Sequence, residues 1–184
     1  MTMDSAGPVI AGVDGSPAGY QAATWAAREA WMRGRRLLLL AVNTWPSYLA
    51  MPFGGRAWDA ETGRTVCQDI LHQARQEARG KFGGLTIRSE VTEGLPARIL
   101  VERGADAALI VVGRRGGGEF SRLVLGSSAA QVAAYARCPV AVVPESAAVP
   151  AGDGAGVVVG VDIGDQSQER SGSLSMRRLG GTCH

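Results

Sequence analysis

The sequence predicts an α/β domain, an open five-stranded parallel sheet with helices on both faces. Short apolar runs of strand length alternate along the chain with segments of helical periodicity. Two of those runs, residues 37–42 and 108–112, are continuously apolar, as expected of strands covered on both faces. Glycine, proline or a capping hydroxyl punctuates most of the junctions.

Val9-Ile10-Ala11-Gly12-Val13-Asp14 reads as the first strand and runs into Gly15-Ser16-Pro17, where Ser16 suits a helix N-cap and Pro17 its first turn. Ala23, Ala26, Ala27 and Ala30 then recur at three- and four-residue spacing, a flat face that lets a helix lie close to a sheet, and Glu29 and Arg33 form an outward i,i+4 pair. Gly34 ends that helix, and residues 37–42 are the second strand. From 44 to 60 the composition turns to Trp, Pro, Gly and Tyr, a long irregular connection of a kind that is often functional. Its Trp45, Tyr48, Phe53 and Trp58 suit either covering a ligand or partner or packing onto the domain. Cys67, Ile70, Leu71, Ala74 and Ala78 mark one face of a second helix, from 61 to 81, stopped by Gly83-Gly84. Residues 86–91 alternate apolar with polar and charged side chains, a strand with one wetter face near a sheet edge. Pro96 opens a third helix through Ile99, Leu100 and Val101. Ala108-Leu109-Ile110-Val111-Val112 is the fourth strand and runs straight into glycine. A fourth helix, 127–136, leads to Pro139-Val140-Ala141-Val142-Val143-Pro144, the fifth.

Right-handed crossovers fold this βαβαβαβαβ order into a parallel sheet, and in such sheets ligands sit outside the carboxyl ends of the strands, where the winding direction switches. Asp14, Val42 and Gly113 therefore belong to one rim.

Composition excludes other classes. With 46% apolar, 20% charged and 5% aromatic residues, 184 residues describe a soluble globular chain of one domain and a fraction. The net charge is +2; Lys81 is the only lysine, and the arginines are scattered, so no nucleic-acid footprint is expected. No stretch approaches a membrane span, the start lacks a signal-peptide pattern, and Cys67, Cys138 and Cys183 form no Cys-x-x-Cys pair, so a reducing cytoplasm is expected. Cys67 and Cys138 read as small core residues and His72 as a solvated or partly buried helix residue. With His72 and His184 the only histidines, a histidine metal site or a Ser-His-Asp triad lacks material.

The segment after the fourth strand carries the chemistry. Gly113, Gly116 and Gly126 are followed by Ser127 and Ser128 at a helix start. Glycine permits close backbone approach and positive φ, and amides at a helix N-terminus attract anions, so phosphate is the natural guest; turn geometry alone is the other reading. Arg114, Arg115 and Arg122 add charge suited to phosphate oxygens. The segment lacks the Gly-Lys-Ser/Thr of a Walker A loop, and Gly12-Val13-Asp14-Gly15 lacks the opening Gly-x-Gly of a dinucleotide fingerprint.

Gly113, Gly116, Gly126 and Ser127 meet the pattern Gly-x2-Gly-x9-Gly-Ser/Thr, and on it the chain resembles a universal stress protein of the ATP-binding type. Residues 9–16 resemble that family's opening strand and acidic residue, Glu93-Gly94-Leu95-Pro96 its turn after the third strand, and Ala136-Arg137-Cys138-Pro139-Val140 its approach to the last. The similarity covers residues 7 to 145. It implies a Rossmann-like fold that binds ATP with Mg²⁺. Gly12, Val13 and Asp14 would then face the adenosine and ribose, with Asp14 accepting from a hydroxyl or helping hold a metal; capping of the next helix is the alternative for Asp14. Val42 would contact the adenine, and Val112, Gly113, Arg115 and Gly116 would line the ribose and phosphates. Gly126, Ser127, Ser128 and Ala129 would supply the phosphate-binding helix start. Many ATP-binding members carry Ser or Thr where this chain has Ala129, so a hydroxyl contact is missing; Ser128 is the candidate to compensate, and preference for triphosphate would weaken.

Residues 147–156 read as a linker, and Val157-Val158-Val159-Gly160-Val161-Asp162 repeats the pattern of residues 9–14, as if a second domain began. The remainder to His184 is patternless and expected to be disordered. The 157–162 strand either adds to the sheet margin or hangs free. The resemblance implies a cytoplasmic, homodimeric regulator of stress response that acts through an adenine nucleotide and an unidentified protein partner, with no nucleic acid or membrane. No general base is evident, so ATP hydrolysis would be slow and incidental. The alternatives are a nucleotide-free interaction module and a nucleotidyl-transfer or ATP-pyrophosphatase enzyme.

Overall fold

The structure, a computed structural model, describes residues 7–44, 60–114 and 125–145. Five strands, β1 (Val9–Gly12), β2 (Leu37–Asn43), β3 (Ile87–Glu93), β4 (Leu109–Gly113) and β5 (Val140–Val143), form one parallel sheet in the order β3-β2-β1-β4-β5. The helices are α1 (Pro17–Met32), α2 (Ala60–Lys81), α3 (Pro96–Arg103) and α4 (Ser127–Tyr135). This is the α/β sheet that the sequence predicts. The aromatic connection, the linker, the 157–162 strand and the tail lie outside the described residues.

Strand alternation sorts the core into two layers. Val9, Ala11, Leu37, Leu39, Ala41, Leu109 and Val111 turn to one face and pack on α1 and α2. Ile10, Leu40, Ile110 and Val112 turn to the other and pack on Ala97 and Leu100 of α3 and Ala129 and Val132 of α4. The alanine face of α1 is buried in full, as its spacing requires: Ala22, Ala23, Ala26, Ala27 and Ala30.

Each helix boundary has a local cause. Ser16 caps α1, its Oγ accepting from the Gly19 amide at 3.1 Å, and Pro17 follows. At the other end Gly34 adopts φ +61°, its amide donates to the Trp31 carbonyl at 3.2 Å, and the Arg35 amide donates to the Ala30 carbonyl at 2.8 Å. Those two bonds close a Schellman motif and satisfy carbonyls that the helix leaves open. The expected Glu29–Arg33 pair forms at 2.7 Å.

Beyond one-residue shifts at several element ends, three boundaries differ from those the sequence predicts. The first strand stops at Gly12, because Asp14 turns back to Ser16 and Gly15 takes φ +80°. The third continues to Glu93, because its pairing with β2 runs unbroken from Leu37↔Ile87 to Asn43↔Glu93. A 3-10 turn, Gly104–Asp106, separates α3 from β4. There a Cβ on Gly104 would stand 2.5 Å from Ile110 Cδ1, a tertiary contact with no local signature.

The sheet grows from β1 through β2 to β3 on one side and through β4 to β5 on the other. The helices leaving β1 and β4 pack on opposite faces, which places the topological switch between the carboxyl ends of these two strands.

Candidate functional site

At the switch the chain is held together by contacts too close for side chains. β1 and β4 pair with Gly12 beside Val112, and the Val13 amide donates to the Leu40 carbonyl at 2.9 Å. The first turn of α1 lies against the end of β4: a Cβ on Gly113 would be 2.8 Å from the Ala18 carbonyl carbon and 3.0 Å from the Gly19 nitrogen. A Cβ on Gly19 would in turn be 2.3 Å from Asp14 Oδ1. Asp14 and Gly113 therefore flank the same turn of α1. The sequence assigns Gly113 to ligand approach; in the fold its missing side chain also makes room for α1. Gly12, Gly113 and Gly126 take no positive φ, and at Gly12 and Gly113 close approach is what glycine provides.

The end of β4 is joined to the start of α4 by backbone bonds. The Arg114 amide donates to the Val143 carbonyl at 2.8 Å, and the Gly126 amide donates to the Arg114 carbonyl at 2.9 Å. The base of the glycine-rich segment is thus closed, and Gly126 becomes the N-cap of α4 in an extended conformation (φ −60°, ψ 148°). Among the described residues no side chain caps this helix. Its first turn carries the unsatisfied amides and partial positive charge of any helix N-terminus, so an anion there gains hydrogen bonds as well as field. Ser127 is exposed and Ser128 half-buried.

Burial separates the expected site residues. Asp14 is exposed, and Gly12, Val42, Gly113 and Gly126 are half-buried. Val13, Val112 and Ala129 are 4%, 5% and 4% exposed, so their side chains belong to the core, and any part they take at a ligand runs through the backbone. A hydroxyl at position 129 would enter the apolar layer of Ile10, Val112 and Val132, where alanine fits without a hydrogen-bond partner. Arg115 and Gly116 lie outside the described residues.

Asp14 Oδ1 accepts from the Ser16 amide at 3.0 Å and from Ser16 Oγ at 2.6 Å, while Ser16 in turn caps the helix. Asp14 therefore supports the cap and does not form it. Burial, Glu77 and then Asp14 together raise the Tyr20 hydroxyl above its ordinary pKa. Asn43 was not singled out in the sequence. It is a buried polar residue at the end of β2; its carbonyl accepts from the Gly94 amide at 3.3 Å, and a Cβ on Gly63 of α2 would be 2.5 Å from its Oδ1. Its signal was a polar residue closing an apolar strand. His72 is exposed on α2, 3.4 Å from Gln76, as the sequence suggests. Cys67 and Cys138 are half-buried against the two core layers. Among the described residues no group of three His, Cys, Asp or Glu is placed to hold a metal, and no helix is long and apolar enough to cross a membrane.

Comparison with known proteins bears on the same region. The universal stress protein family model matches residues 6–144. A universal stress protein of Mycobacterium tuberculosis is 34% identical over 166 residues, which cover 87% of this chain and 55% of that protein. One from Mycolicibacterium smegmatis is 35% identical over 142 residues, 76% of this chain and 46% of that protein. The chain spans about half the length of the curated relatives it matches. Among solved structures, a universal stress protein in complex with cAMP is 26% identical, with a TM-score of 0.59, covering 76% of this chain and 98% of that one. A universal stress protein from Lactobacillus plantarum shares the fold, with a TM-score of 0.61 at 21% identity, covering 77% of this chain and 99% of that one. Matched over most of its length, in a parallel sheet of the same architecture, the chain belongs to the universal stress protein family.

Proposed function

We propose that this chain binds an adenine nucleotide at the β1–β4 rim, as ATP with Mg²⁺, and that occupancy alters its assembly or its choice of protein partner in a stress response. The observation that carries the reading is the start of α4, which no described side chain caps, joined through Arg114 to Gly113 and flanked by the α1 turn that holds Asp14. Phosphates suit the α4 end, where backbone amides and Ser127 present donors, and the ribose suits the side of Asp14. The complex of a relative with cAMP supports an adenine nucleotide as the guest.

The described residues fit Mg²⁺ in one way only. No three-ligand cluster exists among them, so the ion would be held by phosphate oxygens and water, which leaves Asp14 to the ribose. Bound there, it would neutralise phosphate charge. His72 stands out on α2, so no histidine among the described residues serves the rim as a base, and hydrolysis is proposed to be slow and incidental. We place the protein in the cytoplasm as a homodimer; among the described residues β5 pairs only with β4, which leaves its outer edge for a second copy.

Mass spectrometry of small molecules released from the purified protein, followed by calorimetric titration with ATP and Mg²⁺, tests the reading. A bound adenine nucleotide or a saturable titration is expected. Absence of both would favour a nucleotide-free interaction module. Pyrophosphate release at ordinary enzymatic turnover would favour nucleotidyl transfer.

A further inference from the structure

We propose that Ser16 and Gly19 are positioning residues for Asp14 and that together they set the protein's discrimination for ribose hydroxyls. The inference rests on the nucleotide reading above. Asp14 is exposed, yet one of its oxygens is fixed from two sides. Ser16 donates to Oδ1 twice, from its amide at 3.0 Å and its hydroxyl at 2.6 Å. Gly19, one turn into α1, leaves the space that this oxygen fills: a Cβ there would stand 2.3 Å from Oδ1, 3.2 Å from the Asp14 amide nitrogen and 3.3 Å from Ser16 Oγ. Ser16 Oγ also accepts from the Gly19 amide at 3.1 Å, so carboxylate, hydroxyl and helix turn form one bracket.

A carboxylate held this way meets a ligand already oriented, and the hydrogen bonds that order it come from Ser16 rather than from the ligand. A vicinal diol is the chemistry it suits, since a hydroxyl donates to a carboxylate in a charge-assisted bond. The nearest thing in the way of a methyl group at position 19 is the end of the Asp14 side chain, which can turn aside only by giving up its bonds to Ser16. Gly19→Ala therefore displaces the carboxylate while favouring the helix, because alanine is the better helix former.

The experiment titrates ATP and 2′,3′-dideoxy-ATP, each with Mg²⁺, into the full chain and the variants Gly19→Ala, Ser16→Ala and Ser16→Thr, with melting temperatures measured in parallel. The wild type is expected to prefer ATP by about tenfold, the scale of one charge-assisted hydrogen bond. Gly19→Ala should bring the two ligands within about twofold of each other by weakening ATP alone, in a chain that still melts cooperatively. Ser16→Ala should do the same to binding, and Ser16→Thr should keep the preference. If Gly19→Ala fails to fold, the two Ser16 variants decide. Retained preference in Gly19→Ala or Ser16→Ala, equal weakening of both ligands, or no preference in the wild type would overturn the inference and leave nucleotide binding standing. A wild type that binds neither ligand would overturn the nucleotide reading and the inference with it.

Discussion

Gly113 and Gly34 need their missing side chains for opposite reasons, and substitution distinguishes them. At Gly113 a Cβ would meet the backbone of Ala18, 2.8 Å from its carbonyl carbon and 2.9 Å from its oxygen, so α1 must lift off β4 to admit one. Gly113→Ala should cost roughly 1–3 kcal/mol, as overpacking does, read as a lower denaturant midpoint with the slope unchanged. A Cβ on Gly34 would meet nothing within 4 Å among the described residues, and its φ is +61°. Gly34→Ala should therefore cost only the left-handed backbone, about 1–2 kcal/mol, and Gly34→Asn should cost less. Equal losses in the alanine and asparagine variants would contradict that cause.

The thiols make a pH prediction at the same scale. Burial raises both Cys67 and Cys138 above the ordinary thiol pKa. A raised pKa in the fold favours the neutral thiol, so the stability it contributes is present below the unfolded pKa and is lost as pH climbs through the raised value. Because the thiolate is the nucleophile, alkylation near pH 8, at the foot of the ordinary thiol titration, should be slower at both sites than at a cysteine in the denatured chain. Residue-resolved mass spectrometry measures this, and equal rates would contradict it.

At the scale of elements, the start of α1 has two tasks, since Ser16 caps the helix and also holds Asp14. Removing the cap with Ser16→Ala should destabilise the fold by about 1 kcal/mol, read by denaturant unfolding. The bridge from Arg103 at the end of α3 to Glu90 on β3 is bidentate but exposed. A double-mutant cycle should find less than about 1 kcal/mol there, falling as salt is added. Much of this level was legible in the chain. Continuous apolar runs named the strands covered on both faces, alternation named β3 as an end strand, and Ser16, Pro17 and Gly34 marked the limits of α1. The Gly104–Asp106 turn and the extension of β3 were not legible, because Ile110 and the full ladder with β2 fix them, and neither partner is a sequence neighbour.

At the scale of the whole molecule, the strand order puts Asp14, Gly113 and the start of α4 at one switch point, and this much the alternation of elements predicts. Which side chains reach the rim was not predictable, since Val13, Val112 and Ala129 look alike in the sequence whether they serve a ligand or a core. The reason for glycine at 113 and 19 was hidden too, because the atoms they make room for belong to other elements or to the neighbouring turn. If nucleotide binds only the folded chain, ATP at a hundredfold excess over its Kd should raise stability by about 2.7 kcal/mol and lift the melting temperature accordingly. The most direct test of the central claim is calorimetric titration of ATP with Mg²⁺ into the wild type and Gly126→Asp. Aspartate is compatible with the backbone at 126 and is a good N-cap, so α4 keeps or gains stability while its amides and field are taken by a fixed negative charge. Saturable binding by the wild type, weakened at least about tenfold in a variant with an unlowered melting temperature, is the expected result. Unchanged affinity in Gly126→Asp, or no binding by the wild type, would contradict the placement of the nucleotide phosphates at this helix.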